Sequence, residues 1–239
     1  MFSVRGIWPR AALAFIGLAG LITILLHLRP GLNGEDLQVY TKNLWWGHTR
    51  HQLVVDDILA ANVDVVMLQE VSFRNIAVVE LLKDTFPHQH ICQFSDWSGV
   101  ALLSKIPFSG PTVCSDWRGL AAAPIVLSGQ KVWFASVHIP WPWPYEPKAA
   151  MPAIHDVLET FDAPAVLAGD FNMVPWSHRL NRIMQNTGTR LSTPAVPTLN
   201  FKGIPLPIDL VLAPGSGSVE LRPKLGSDHS GLVARVRIF

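Results

Sequence analysis

The chain has 239 residues, the size of one large domain, and nothing along it has the composition of an interdomain linker. Hydrophobic residues make up 49% of it and charged residues only 15%, an apolar lean that is odd for a soluble protein unless part of the chain lies in a membrane. Residues 31–239 carry 16 basic and 18 acidic side chains, a formal charge of 16 − 18 = −2, so composition gives no support to a partner gripped mainly by its phosphate backbone, such as long duplex DNA.

The apolar excess concentrates in residues 11–28, which contain no Asp, Glu, Lys or Arg. At a helical rise of about 1.5 Å per residue they span about 27 Å, a short but sufficient membrane crossing. Arg5 and Arg10 precede the run, so the positive-inside tendency keeps the amino end cytoplasmic and exports the remainder. No A-x-A site closes it, which favours a retained anchor over a cleaved signal, and a run apolar all round is not an amphipathic surface helix. The expected organisation is a membrane anchor over 1–30 and one exported domain over 31–239.

After a polar connector, a strand is expected over 37–43, ending at Asn43, then a helix over 48–61 and a doubly buried strand over 63–69, stopping at Glu70. A helix near 72–84 precedes strands near 88–93, 99–104, 122–127 and 131–138, the last ending at His138. A helix over 148–160 leads to a buried strand that ends at Asp170. Strands close the chain at 208–213, around 219–221 and at 232–239, where apolar residues alternate with Arg235 and Arg237. This mixture suggests an α/β protein in which two sheets pack face to face with helices outside. Cys92 and Cys114 lack C-x-x-C spacing, which excludes a zinc site. Between a disulfide and two separate buried thiols, the reading favours the thiols.

Polar residues recur where apolar strands stop, which is where loops of several strands converge on a site. Glu70, Asp170, Asn172 and Asp228 are hard oxygen donors, suited to Mg²⁺ or Mn²⁺. Any one of them also reads as a helix cap or turn residue; the set does not. His229 beside a carboxylate can take a proton from water near neutral pH, and Asp209 is the candidate orienter. His138 and Asn43 can donate hydrogen bonds to phosphate oxygens, and Asn172 shares a side of the chain with Asp170. Weaker substrate-binding candidates are Arg118, Trp141, Trp143 and Trp176. With Trp45 and Trp46, these tryptophans form an aromatic rim able to stack bases or rest on lipid. Ser227 or Ser230 as a nucleophile would require a G-x-S-x-G elbow, and there is none.

The segments TKN, LQEV, GVALLSK, SVHIP, GDFNMVPWS, PIDLVL and GSDHS, in this order, resemble the endonuclease/exonuclease/phosphatase superfamily, over residues 37–239. That family includes deoxyribonuclease I, abasic-site endonucleases, bacterial sphingomyelinases and inositol-phosphate phosphatases. With the preceding apolar run, the pattern is most similar to a bacterial membrane-attached branch, which implies an inner-membrane anchor over 1–30 and a catalytic domain over 31–239 in the periplasm. The resemblance implies a four-layered αββα sandwich of two mixed β-sheets. It implies Glu70 as main metal ligand with Asn43 beside it and Asp228 near the ion. Asp170 and Asn172 would handle the attacking water and a phosphate oxygen, His138 would contact the phosphate, and His229 with Asp209 would serve as general base. PLPID has proline where nucleases of the family often carry a basic residue, and only Asp96 offers a second acidic ligand, so one metal is expected. A phosphodiester or phosphomonoester is the implied substrate. The alternative from another class is a non-catalytic scaffold on the same fold.

Overall fold

Strands that read as continuous apolar runs need cover on both faces, and four layers supply it. The computed structural model describes residues 37–117, 119–141 and 150–238. The expected anchor, Arg118 and Trp143 lie outside them; among the described residues no helix is long and apolar enough to cross a membrane.

The first sheet runs in the order β13 (Gly217–Arg222), β14 (Gly231–Val236), β1 (Leu37–Asn43), β2 (Val65–Gln69), β4 (Ser98–Ser104), β3 (His88–Ser95). The second runs β5 (Val113–Cys114), β6 (Leu120–Leu127), β7 (Gln130–His138), β8 (Ala165–Asp170), β12 (Asp209–Ala213), β9 (Arg190–Leu191). In both sheets one central pair is parallel, β1 with β2 and β7 with β8, and the neighbouring pairs are antiparallel. The sheets are therefore mixed, as expected.

Side-chain alternation builds the layers. Val39, Val65, Met67, Leu102, Phe134, Val166 and Val211 face inward and form the core between the sheets. Their neighbours Tyr40, Val66, Leu68 and Leu103 face outward against Val54, Val55 and Ile58 of α1 (His51–Ala61) and Val78 and Val79 of α2 (Ala77–Leu81). On the second sheet Ala135, Leu167, Leu210 and Leu212 pack with Ile154 and Val157 of α3 (Ala150–Leu158) and Leu180 and Ile183 of α4 (His178–Thr187).

Three features differ from the sequence reading. The helix expected near 72–84 is α-helical only over α2, because Ser72 and Asn75 are spent on a turn in which the Ser72 amide donates to Asn75 Oδ1 at 2.8 Å. The helix α4 and the hairpin β10 (Leu199–Phe201) with β11 (Ile204–Leu206) were not anticipated. Finally, Cys92 and Cys114 are not separate thiols but a disulfide, with Cα atoms 5.6 Å apart. It joins β3 at one edge of the first sheet to β5 at one edge of the second, a juxtaposition that depends on how the sheets stack and that sequence spacing does not reveal.

Because this disulfide closes a loop of sequence separation 22, replacing both cysteines by serine is expected to lower the unfolding free energy by about 3 kcal/mol. Urea denaturation under non-reducing conditions measures it; an unchanged midpoint would show that the bond constrains nothing in the unfolded chain.

Candidate active site

Every predicted site residue within the described segments lies at one end of the sandwich, Trp176 on the loop that follows β8 but outside the cavity that the others surround. Parallel pairing places the carboxyl ends of β1 and β2 side by side, with Asn43 opposite Gln69, and those of β7 and β8 likewise, with His138 opposite Asp170. Antiparallel β12 starts at the same end, so Asp209 is the cross-strand partner of Asp170. The two sheets approach closely below: Gln69 Nε2 donates to Ser136 Oγ at 3.0 Å, and Ser136 Oγ donates to the Leu68 carbonyl at 3.1 Å. Gly169, at φ +149, leaves room for this approach, since a Cβ there would lie 3.0 Å from Gln69 Nε2 across the sheets, besides 1.9 Å from the carbonyl oxygen of Val137, its partner on β7.

Asn43 links the two halves. Its Nδ2 donates to Glu70 Oε1 and to Asp170 Oδ2, both at 3.0 Å, while its Oδ1 accepts from the Trp45 amide at 2.9 Å. A backbone N–H can only donate, so this bond fixes which way the side-chain amide points. In this arrangement the Asn43 amide nitrogen tethers two carboxylates. Glu70 adopts a left-handed backbone, φ +53, a conformation that costs free energy away from glycine. It is held there by Asn75, whose Nδ2 donates to the Glu70 carbonyl at 3.0 Å, and by the Trp46 amide, which donates to Oε2 at 2.9 Å.

Opposite Glu70 lies a histidine–aspartate pair. His229 Nδ1 donates to Asp209 Oδ2 at 2.7 Å, which turns Nε2 toward Asp170 Oδ2, 3.9 Å away. His138 Nε2 stands 3.8 Å from both Glu70 Oε1 and Asp170 Oδ2. Asn172, at φ +49, donates its amide N–H to Asp170 Oδ1 at 2.9 Å and its Nδ2 to the Ile139 carbonyl at 2.9 Å. Burial pushes the Asp170 carboxyl up, and the charge of Asp209 adds to that. Burial alone would push His229 down, but the charge and hydrogen bond of Asp209, with Asp170 and Asp228 behind it, raise it to about 9.

These residues open into a cavity of about 540 Å³ lined by Glu70, His138, Trp141, Asp170, Asp228 and His229 among others. Trp141 forms part of its wall, its ring 5.5 Å from that of Phe201. Trp176 is 74% exposed and outside the cavity wall, and Asp96 sits in the turn after β3 and is not part of that wall either. A divalent cation fits the donor set. Glu70 and Asp228 bring carboxylate oxygens to one cavity, and Asp209 Oδ1 is buried without a hydrogen-bond partner, an excess of oxygen acceptors over donors. The ligating atoms of Asp170, Asp209 and His229 also lie within 4.8 Å of one another.

One residue was missed by sequence reading. Lys42 is fully buried, and its Nζ donates to the carbonyls of His229 at 3.0 Å and Pro223 at 3.2 Å. Burial pulls it down to about 8, against the opposing charges of Asp209, Asp57 and Asp228. It thus ties both ends of the 223–229 loop to β1. Ser227 completes the clamp, donating through Oγ to the Asn43 carbonyl at 2.8 Å while accepting from the His229 amide at 2.9 Å.

A family model described as the endonuclease/exonuclease/phosphatase family matches residues 40–229. No curated protein sequence matches the chain. Among solved structures, an endonuclease/exonuclease/phosphatase family protein from Leptotrichia buccalis is 17% identical at a TM-score of 0.64, over 84% of this chain and 99% of that one. Truncated TDP2 from Caenorhabditis elegans is 16% identical at 0.64, over 85% and 98%. A beta toxin mutant from Staphylococcus aureus with bound magnesium ions is 17% identical at 0.65, over 84% and 99%. At these identities the likeness is one of fold.

The pKa shifts set a pH dependence. His229 is raised above its ordinary 6.5 to about 9, so its protonation stabilises the fold fully below pH 6.5, and that contribution is lost as pH rises toward 9. The raised Asp170 acts in the same direction, because its ionised form is disfavoured in the fold. In EDTA, stability is expected to fall between pH 6.5 and 8, below the range in which Lys42, pulled down to about 8, acts in the opposite direction, and His229→Gln should flatten the curve; a rise with pH in that window would contradict the assignment. Lys42→Met leaves two buried carbonyls short of a donor, at an expected cost of about 1–3 kcal/mol. Its turnover should drop while KM stays near wild type, a split that steady-state kinetics would test.

Proposed function

Because the chain belongs to the endonuclease/exonuclease/phosphatase family, we propose that it is a metal-dependent phosphoesterase in which His229 activates water for attack on phosphorus. The observation that carries this reading is the opposition, across one cavity, of the Asp209–His229 pair and the Glu70 carboxylate, with Asp170 between them.

Glu70 would hold Mg²⁺ or Mn²⁺, with Asp228 near it. When bound, such an ion offsets negative charge on the phosphoryl group. The chain's own residues account for the proton. With Nδ1–H given to Asp209, the neutral form of His229 has a bare Nε2 toward the cavity, the form a general base requires; the carboxylates that raise it to about 9 favour the protonated form, and the charge of a cation held at Glu70 would oppose them. Asp170 can accept the second hydrogen of the same water and so orient its lone pair, because Asn172 and Asn43 already fix its two oxygens. His138, from the far strand, faces the space where a phosphoryl oxygen gains charge, and can donate to it there. Water forms the new bond to phosphorus, its proton passes to His229 Nε2, and the ester oxygen leaves on the opposite side. Either a phosphodiester or a phosphomonoester satisfies this geometry.

The wider setting is part of the same proposal: residues 1–30 anchor the chain in a bacterial inner membrane and the catalytic domain faces the periplasm. The uncharged run over 11–28 supports the anchor. The Cys92–Cys114 disulfide supports an oxidising compartment.

Hydrolysis of bis(p-nitrophenyl) phosphate and p-nitrophenyl phosphate by the full chain in detergent tests the chemistry. Turnover should require Mg²⁺ or Mn²⁺, vanish in EDTA, and fall by about two to four orders of magnitude in His229→Ala with the fold retained. Near-native turnover by that variant, or indifference to EDTA, would remove His229 or the metal from the mechanism. A folded protein inert toward both esters that binds no metal would return the scaffold reading.

A further inference from the structure

The exposed aromatic side chains are unevenly distributed. Every tryptophan and phenylalanine that is exposed among the described residues lies on a loop or on the β10–β11 hairpin at the end of the sandwich that carries the candidate site, whereas the exposed large residues elsewhere, such as Leu53, Leu81 and Val126, are aliphatic. Solvent exposure of a single apolar residue needs no explanation, but an aromatic set collected on the loops of one edge does.

Five of these seven side chains form two lips beside the cavity, and Trp117 and Trp176 belong to neither. On one side Trp46 has ring centroids 6.2 Å from Trp45 and 6.4 Å from Trp97, and Arg74 lies over both Trp46, at 5.4 Å, and Phe73, at 5.5 Å. On the other, the tip of the β10–β11 hairpin carries Phe201 and Ile204, 44% and 59% exposed, with Lys202 over the Phe201 ring at 5.5 Å. Phe201 also belongs to the cavity wall, so lip and site are continuous.

Charge separates the two partners that aromatic loops suit. Bases stacking on tryptophan bring a phosphate chain with them and call for a surplus of cations along the groove. The described loops at this end carry Arg50, Arg74, Lys202 and Lys224 against Glu70, Asp96, Asp116 and Asp228, four of each sign. A balanced, tryptophan-rich rim matches instead the headgroup layer of a zwitterionic bilayer. There an indole finds both apolar contact and a partner for its N–H, and Arg or Lys stems lie along apolar surface with their charge toward phosphate. The uncharged run over 11–28 is independently suited to bring the chain to a bilayer.

We infer that this rim docks on the interfacial layer of a zwitterionic phospholipid bilayer, and that the phosphoester presented to the site is that of a lipid headgroup. The second half rests on the proposed phosphoesterase chemistry; the first does not.

The test uses residues 34–239, a compact unit of their own that contains both sheets, the four described helices and the whole described core. Phosphatidylcholine–phosphatidylethanolamine vesicles are sedimented with the wild type, with the triple variant Phe73→Ser/Trp97→Ser/Ile204→Ser, and with Leu81→Ser on α2 as a control. The wild type should partition to vesicles and the triple variant at least about tenfold less, from the apolar surface lost. Leu81→Ser should match wild type. Hydrolysis of a small soluble ester should be equal in all three, and phosphate-containing headgroup products should appear from vesicles with the wild type only at rates the triple variant does not reach. Absence of partitioning by the wild type, an equal loss in Leu81→Ser, or rim-dependent binding of an oligo-dT strand in place of vesicles would overturn the inference. Rim-dependent vesicle binding without hydrolysis of any ester would uphold the docking surface and sink the catalytic reading. Metal-dependent hydrolysis of the soluble ester without vesicle binding would do the reverse.

Discussion

Two buried carboxylates face each other across adjacent strands, and much of the site exists to make that tolerable. Asp170 and Asp209 are cross-strand partners, exposed by only 1% and 2%. Like charges in that position repel, and each is stripped of most of its water. His229 meets the cost from one side, through its bond to Asp209 and its place 3.9 Å from Asp170. Asn43 meets it from the other, and Lys42 adds a buried positive charge beneath the same loop. Removing any of these partners leaves an uncompensated charge, so what stabilises the end of the sandwich also fixes the orientation that the proposed proton transfer needs.

How legible each element was depended on whether its signal is local. Strands buried on both faces, such as β2 and β8, announce themselves as unbroken apolar runs, and both were read to within two residues of their ends. Helix α4 has few apolar residues, Leu180, Ile183 and Met184, set among polar ones, although Ser177 before it and Gly188 after it, at φ +64, were usable boundary signals. The β10–β11 hairpin is mostly exposed, so its strands lack alternation; its turn, with Lys202 and Gly203 both at positive φ, was the available cue. The disulfide had no local signal, because it joins edges of different sheets.

The candidate site divides along the same line. Glu70, His138, Asp170 and Asp209 are at strand ends, where polarity interrupts an apolar run, and the resemblance to the family supplied their grouping. Lys42 reads as an ordinary strand lysine facing solvent. Only the return of the chain near residue 223, some 180 positions later, covers it and turns it into a donor for the loop that holds His229. Asn43 was legible as a site residue, but its role as a link between two carboxylates depends on the Trp45 amide, which no spacing rule places. The aromatic rim was visible as tryptophans near motifs, whereas the collection of all exposed aromatics at one end required the topology.

The account stands on the claim that Glu70 and the Asp209–His229 pair have separate duties, one for a cation and one for a proton. Anomalous diffraction from crystals of residues 34–239 soaked with Mn²⁺ addresses it directly. A single ion on the Glu70 carboxylate, with the His229 Nδ1 to Asp209 hydrogen bond intact, is the predicted result. An ion bound among Asp170, Asp209 and His229, with that hydrogen bond broken, would contradict the division of labour from which the mechanism is built.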